Sequence, residues 1–260
     1  MSYETILYEV NDGIATLTLN RPDVFNAFNE QQSFDVLDAL KKTEKDKSIR
    51  VLIITGAGKA FCSGQDLKSI AGSQNRSLSD SLYKRYNPMI RALRNIPIPV
   101  ICKLNGVAAG AGCSLALACD FIVASEVATL IEVFIHVGLV LDSGSSYFLP
   151  RIVGSNRAFE LSTMGGKVSA MQALEWGMVN RLVKHEELDA ETQKIAAFYA
   201  QAPTKAIALI KKMLNKSSHS DLDTMLQYEA YCQEIAGRSD DYKEGVSAFN
   251  EKRKAAFKGS

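Results

Sequence analysis

Asn105–Asp120, NGVAAGAGCSLALACD, opens in small residues and then runs straight into an apolar pattern. Gly106, Gly110 and Gly112, with Ala108, Ala109 and Ala111 between them, leave main-chain N–H groups that no large side chain shields. Leu115, Leu117 and Ala118 then begin a buried helix. The first N–H groups of a helix lack internal partners and carry partial positive charge, which suits a developing oxyanion or a phosphate. The same spacing fits equally a close helix-to-sheet contact that admits only small residues.

Working outward, the stretch is fed by Ile96-Pro97-Ile98-Pro99 and a strand over Val100 to Lys103, and it is followed by a second buried strand over Asp120 to Ala124. Upstream, the fully apolar strand Val51 to Ile54 leads through Thr55-Gly56-Ala57-Gly58 into KAFCSGQDL. There Gly64 follows small residues and precedes Gln65 and Asp66, a second place for exposed N–H groups. Apolar strand, glycine turn and helix therefore recur, and successive turns of such a spiral place the two N–H loops side by side.

The remaining chain reads as support for that core. Alternation over Thr5 to Glu9 and Ile14 to Leu19 around Asn11-Asp12-Gly13 predicts a hairpin. Asn29 is placed to cap a helix from Glu30 to Glu44 with Phe34, Val36, Leu37 and Leu40 inward. Gly72 to Ser79 is polar and reads as a mobile loop over a site, followed by a helix from about Ser81 to Arg94 that turns Leu82, Met89, Ile90 and Leu93 inward. Thr129 to His136 is mostly apolar, Gly138 to Ser146 is rich in small residues, and a helix then ends near Arg151. Gly165 to Val183 pairs a short helix, capped by Ser169, with a strand from Met178. From Leu188 onward the pattern is helical, and Gln201-Ala202-Pro203 divides a mixed core, residues 1–200, from a helical region, residues 201–260.

The 260 residues suffice for one large α/β unit with a substantial core. Thirty basic against 29 acidic residues give a net charge of +1, which points to no nucleic acid or other polyanion as partner. Five cysteines in mostly apolar runs read as core residues in a reducing, cytoplasmic setting, with no metal-ligand spacing. MSYETILYEV has no secretory pattern, and no apolar run approaches the ~18 residues that would suggest a membrane partner.

Taken together, KAFCSGQDL, NGVAAGAGCSLALACD, GLVLDSGSSYFLPR and GGKVSAMQALEWGMVNRLV resemble the enoyl-CoA hydratase/isomerase (crotonase) superfamily across essentially the whole chain. YEAYCQEIAGRSDDYKEGVSAFNEKRKAAF and the GLVLDSG segment are most similar to its branch of bacterial ring-epoxide isomerases. The resemblance implies an α/β spiral of ββα turns with a helical carboxyl-terminal region that forms homotrimers or homohexamers. It also implies an acyl-CoA thioester substrate, no cofactor beyond the coenzyme A that the substrate carries, and an oxyanion hole from the N–H groups of Gln65 and Ala111. Coenzyme A is expected against Phe25, Ala27, Ala60, Ser63, Asp66 and Leu67.

Hydratases of the superfamily use two glutamates to hold water, and the matching positions here are Ser114 and Phe134, which line the expected substrate site without a carboxylate. Asp142 is the one carboxylate left at a family catalytic position, and one carboxylate suffices to move a proton between two carbons of an enolate. The resemblance thus implies an isomerase that converts 3-enoyl-CoA to 2-enoyl-CoA, with a ring-epoxide to oxepin conversion as an extension. A hydratase with a displaced base, or a silent acyl-CoA-binding or RNA-binding relative, stand as alternatives. By spacing alone Asp142 is a helix cap ahead of Ser143-Gly144-Ser145. His136 reads as structural, with a place facing the pocket as the alternative, and His185 and His219 as surface residues. Glu132 reads as solvent-facing or between subunits, with a stray pocket acid as the alternative, and Cys62 as packing. Lys205 to Lys212 reads as a solvated helix face.

Overall fold

A computed structural model of the chain describes residues 3–70 and 77–260. β1 (Ile6–Asn11) and β2 (Ile14–Leu19) form the expected antiparallel hairpin. α1 (Glu30–Lys45) starts where the Asn29 side chain accepts the Gln32 N–H at 2.8 Å. Val36, Leu37 and Leu40 are buried, but Phe34 is 43% exposed. At ~100° per residue, position 34 lies on the far side of the helix from position 36, which corrects the expected apolar face.

β3 (Val51–Gly56) and β4 (Ala60–Cys62), β5 (Val100–Leu104) and β6 (Val107–Ala109), and β7 (Phe121–Ser125) and β8 (Thr129–Ile131) follow as three long-then-short pairs. With β9 (Lys167–Ser169) and β10 (Arg181–Val183) they build two sheets among the described residues. The larger is ordered β1-β2-β3-β5-β7-β10 and the smaller β4-β6-β8-β9. Every pairing is parallel except β1 with β2 and β8 with β9. The expected α/β spiral is therefore what forms. The chain crosses from the larger sheet to the smaller one at each turn and returns through helical segments. β3 is buried along its whole length because β2 and β5 flank it and helices cover its faces.

The expected helix over 81–94 lies within one continuous helical run made of α2 (Leu78–Ser81), a wider π-type turn (Leu82–Tyr86) and α3 (Asn87–Asn95). Met89, Ile90 and Leu93 are buried as predicted, while Leu82 is only half-buried. Of the expected loop over 72–79, residues 72–76 lie outside the described residues, and Ser77 caps α2. α4 (Ala111–Leu117) is buried throughout. α5 (Ser145–Val153) and α6 (Ser155–Met164) follow, and Ser169 caps α7 (Ala170–Glu175) in a reciprocal box with Gln172. The last strand begins at Arg181 rather than Met178, because Met178 and Val179 turn into the core instead. α8 (Leu188–Ala200), α9 (Thr204–Ser217), α10 (Leu222–Gly237) and α11 (Asp240–Asn250) complete the chain. No helix of the described residues is long and apolar enough to cross a membrane.

α9 is not simply a solvated face. Lys211 is buried, and its Nζ lies 2.6 Å from Asp120 Oδ2 while donating to the Leu93 and Ile98 carbonyls at 3.2 Å. Asp120 also takes Arg94 and the Val100 N–H, so one carboxylate joins α9 to α3 and the start of β5. Burial pulls the Lys211 pKa down while Asp120 pushes it back up. Without Lys211, Asp120 keeps Arg94 and the Val100 N–H, so what is lost is a set of charge-assisted hydrogen bonds from a buried ammonium, about 1.5–3 kcal/mol. Lys211→Ala is therefore expected to lower stability by about that amount in denaturant unfolding, whereas removal of the exposed Lys212 is expected to change it by less than about 0.5 kcal/mol.

Candidate active site

Parallel pairing of β4 with β6 aligns Cys62 with Ala108, so the chain segments leaving the two strands run side by side. Phe28 N–H donates to the Gly64 carbonyl at 2.7 Å and Asp66 N–H donates to the Phe28 carbonyl at 2.9 Å. Because backbone groups alternate in direction along an extended segment, the intervening Gln65 N–H points the other way. On that side lies Ala111. Gly64 has φ +95°, and a Cβ there would sit 2.8 Å from the Ala109 carbonyl oxygen and 3.6 Å from Ala111 N. Ala111 is the first residue of α4, so its N–H has no acceptor within the helix. Among the described residues, neither the Gln65 nor the Ala111 N–H donates to a backbone carbonyl.

The close-packing reading of the small-residue stretch is borne out. A Cβ on Gly112 would lie 2.2 Å from the Cys62 carbonyl oxygen, so the start of α4 packs against β4 at a distance only glycine permits. That contact brings the Ala111 N–H beside Gln65. The Gln65 side chain is pinned away from the gap: Nε2 donates to the Phe28 carbonyl at 2.8 Å, and Oε1 accepts from Tyr86 Oη at 2.7 Å and Arg85 Nη2 at 3.3 Å.

The two N–H groups open on a cavity of about 310 Å³ with Gln65, Ala111, Tyr86, Phe134 and Asp142 among its lining residues. Asp142 is largely buried, and burial raises its pKa while the Ser143 hydroxyl, donating to Oδ1 at 2.8 Å, works the other way. Its side chain does not cap α5. Gly144 occupies the cap position without a side-chain bond, and it is the Asp142 backbone carbonyl that accepts the Ser145 N–H at 3.0 Å. The carboxylate therefore remains available to the cavity.

Of the other expected site residues, Ser63, Leu67 and Phe134 line this cavity. Ala27 and Ala60 are buried at 6% and 1% exposure, outside its lining, and Phe25 is exposed at 57%. Asp66 is engaged elsewhere. Burial opposes its ionisation, but Arg21 at 2.9 Å and the Ser69 N–H at 3.1 Å hold its pKa below the ordinary carboxylate value. Ser114 lies beneath the cavity, fully buried, with its hydroxyl between the Gly110 and Asp142 carbonyls and Ser145 Oγ.

Burial pushes the Cys62 thiol up to about 12, which fits packing and not nucleophilic chemistry. His136 is exposed at the cavity rim, with Nε2 3.3 Å from the Met164 carbonyl oxygen. Glu132 corrects the sequence reading: it is 2% exposed, facing neither solvent nor another subunit, and Ser145 donates to its Oε1 at 2.9 Å. Its carboxyl is pushed up to about 7 by burial first, with the Ser145 and Cys113 contacts opposing and the nearby Asp142 adding. An acidic residue inside the apolar run TLIEVFI is the available signal, set against the general rarity of buried carboxylates.

Residues 9–260 match the family model described as Enoyl-CoA hydratase/isomerase. The chain is 44% identical over 259 residues to the 1,2-epoxyphenylacetyl-CoA isomerase of Escherichia coli (strain K12), covering 98% of this chain and 99% of that one. It is 35% identical to the crotonyl-CoA hydratase of Syntrophomonas wolfei, covering 99% of each. Among solved structures, the enoyl-CoA hydratase from Bacillus anthracis superposes with a TM-score of 0.94 at 32% identity, covering 99% of this chain and 100% of that one. The match thus takes in both N–H loops, the Asp142 segment and the carboxyl-terminal helices, and the chain belongs to the enoyl-CoA hydratase/isomerase, or crotonase, family.

Proposed function

We propose that this member of an acyl-CoA hydratase/isomerase family is an isomerase that shifts the double bond of a 3-enoyl-CoA to the 2-position through Asp142. The observation that carries the reading is that Asp142 is the carboxylate lining the cavity onto which the Gln65 and Ala111 N–H groups open, while Ser114 and Phe134 supply none. The thioester oxygen accepts the two N–H groups. Asp142 takes a proton from C2, negative charge moves onto the thioester oxygen as a dienolate, and the same carboxyl returns the proton to C4. Fixed donors aimed at the developing charge favour the dienolate over the ground state, with about 3 kcal/mol typical for one donor. The raised pKa of Asp142 brings its basicity closer to that of the carbon acid it must serve.

Hydration is a poorer fit. Adding water across the double bond needs a group to hold and deprotonate that water, and Phe134 puts a ring where hydratases of the family place a carboxylate. Identity with the E. coli enzyme supports a second substrate, a ring-epoxidised arylacetyl-CoA, with Asp142 again the proton carrier. Coenzyme A is read along the exposed Phe25 and Leu67 and the cavity-lining Ser63, while the buried Ala27, Ala60 and Asp66 have almost no surface to offer it. Exposed Ile210, Leu214, Leu222, Leu226 and Phe249 on α9 to α11 support a homotrimer or homohexamer.

Asp142→Asn is expected to lower kcat for 3-enoyl-CoA isomerisation by ~100-fold or more, since a base deletion removes the proton carrier without disturbing size. Turnover within threefold of the parent sinks the assignment. Crotonyl-CoA hydration by the unaltered enzyme is expected to stay at least ~100-fold below isomerisation, by the same value for a missing base. Rapid hydration would return the chain to the hydratases. Ser143→Ala removes a hydrogen bond that favours ionised Asp142, so its pKa rises further. Because the ionised form is the base, the acid limb of the kcat/KM profile is expected to move to higher pH in that variant.

A further inference from the structure

Glu132 has no part in the proton transfer above, yet it is nearly fully buried, and its Oε2 has no hydrogen-bond partner among the described residues. What it does have is a line of hydroxyls. Oε1 lies 2.9 Å from Ser145 Oγ, Ser145 Oγ lies 2.8 Å from Ser114 Oγ, and Ser114 Oγ lies 3.2 Å from both the Gly110 and the Asp142 carbonyl oxygens. These ends matter. The Gly110 carbonyl belongs to the same peptide unit as the Ala111 N–H, and the Asp142 carbonyl belongs to the acid/base itself.

Each hydroxyl carries a single proton, so the protonation of Glu132 limits how the line can be polarised. With Glu132 ionised, Ser145 donates to Oε1, and the single Ser114 proton is shared between Ser145 and the two carbonyls. With Glu132 protonated at Oε1, the carboxyl donates to Ser145, Ser145 donates to Ser114, and Ser114 donates to one of the carbonyls. A further hydrogen bond on the Gly110 carbonyl polarises its peptide and strengthens the Ala111 N–H as a donor. On the Asp142 carbonyl, the same bond adds to the Ser145 N–H at 3.0 Å and fixes the backbone that carries the carboxylate.

We propose that Glu132 is a positioning residue of this site, whose proton, relayed as hydrogen-bond direction through Ser145 and Ser114, sets the bonding of the peptide carbonyls behind Ala111 and Asp142. The role rests on the isomerase reading of Asp142. The titratable groups that face Glu132 are Cys113 on α4 and Asp142 ahead of α5, and neither is a cation that would favour its ionised form. Burial and the like charge of Asp142 both hold the proton on Glu132, which loses it only at about 7. Asp142 needs to be ionised and Glu132 protonated, so the active form exists between the two titrations.

The test is the pH profile of kcat/KM for 3-enoyl-CoA isomerisation in the parent enzyme, E132Q and S145A. The parent is expected to gain activity as Asp142 ionises and to lose roughly threefold to tenfold as Glu132 ionises, well short of the ~100-fold of a deleted oxyanion donor. E132Q, which cannot ionise, keeps the acid limb and loses the alkaline one. S145A, which breaks the line, loses the alkaline limb too. An alkaline limb unchanged in E132Q overturns the proposal. An infrared titration of D142N answers the same question without turnover, even where E132Q fails to fold. A protonated-carboxyl band that disappears near neutral pH is expected to persist in D142N, and its absence there overturns the proposal. Full isomerase activity in D142N, by contrast, defeats the isomerase reading of Asp142 and not the titration of Glu132.

Discussion

The approach of α4 to β4 is the contact on which the site depends. Gly112 has to sit where a Cβ would lie 2.2 Å from the Cys62 carbonyl oxygen, and Gly64 where one would lie 2.8 Å from the Ala109 carbonyl oxygen. Each loop thus denies the other a side chain. The reward is a pair of free N–H groups held by two parallel strands and a buried helix, so their direction is set before any substrate arrives. Donors fixed in advance need no reorganisation when charge develops, which is why such geometry is worth more inside a protein than in water. The pinned Gln65 side chain serves the same end, since its bonds to Phe28 and Tyr86 stop the residue from turning its N–H away.

Most of this frame was legible in the sequence because it rests on local chemistry. The Asn29 cap, the Asp12-Gly13 turn and the Ser169 capping box are short-range devices, and each forms where its residues stand. The spiral also followed from the recurrence of apolar strand, glycine turn and helix. Phe34 and Met178 were misplaced for a different reason: an apolar residue records a preference for burial, while its angle on a helix or the end of a strand depends on what packs opposite. The π-type turn at Leu82–Tyr86 had no sequence signal of its own, though it carries Arg85 and Tyr86 to the Gln65 side chain.

The site was legible only in part. Backbone donors can be inferred from glycines, but partners distant in the chain cannot. Lys211 looked like one of several solvated lysines until Asp120, Leu93 and Ile98 were brought around it. Glu132 looked like a surface acid for the same reason, since nothing near it in sequence announces Ser145 or Ser114. Asp142 carried two readings, cap and base, and the geometry removes the first: a backbone carbonyl takes the helix N–H, and the residue lines the cavity.

Where the carboxylate stands also bears on which reaction the paired N–H groups would serve. A base on the helix at position 114 would approach from beneath the Ala111 N–H, next to the thioester, and a second acid at position 134 would complete a seat for water. Here the first position is a hydroxyl already committed to carbonyls and to Ser145, and the second is an aromatic ring at the cavity wall. The remaining carboxylate enters from the segment before α5, a separate part of the wall, and it is desolvated. A carboxylate set in an apolar wall is screened from proton exchange with solvent, and a dienolate would offer it two carbons. On the proposed isomerisation, retention of the proton within the site follows from the apolar lining, and the same lining that disfavours hydration favours transfer from C2 to C4.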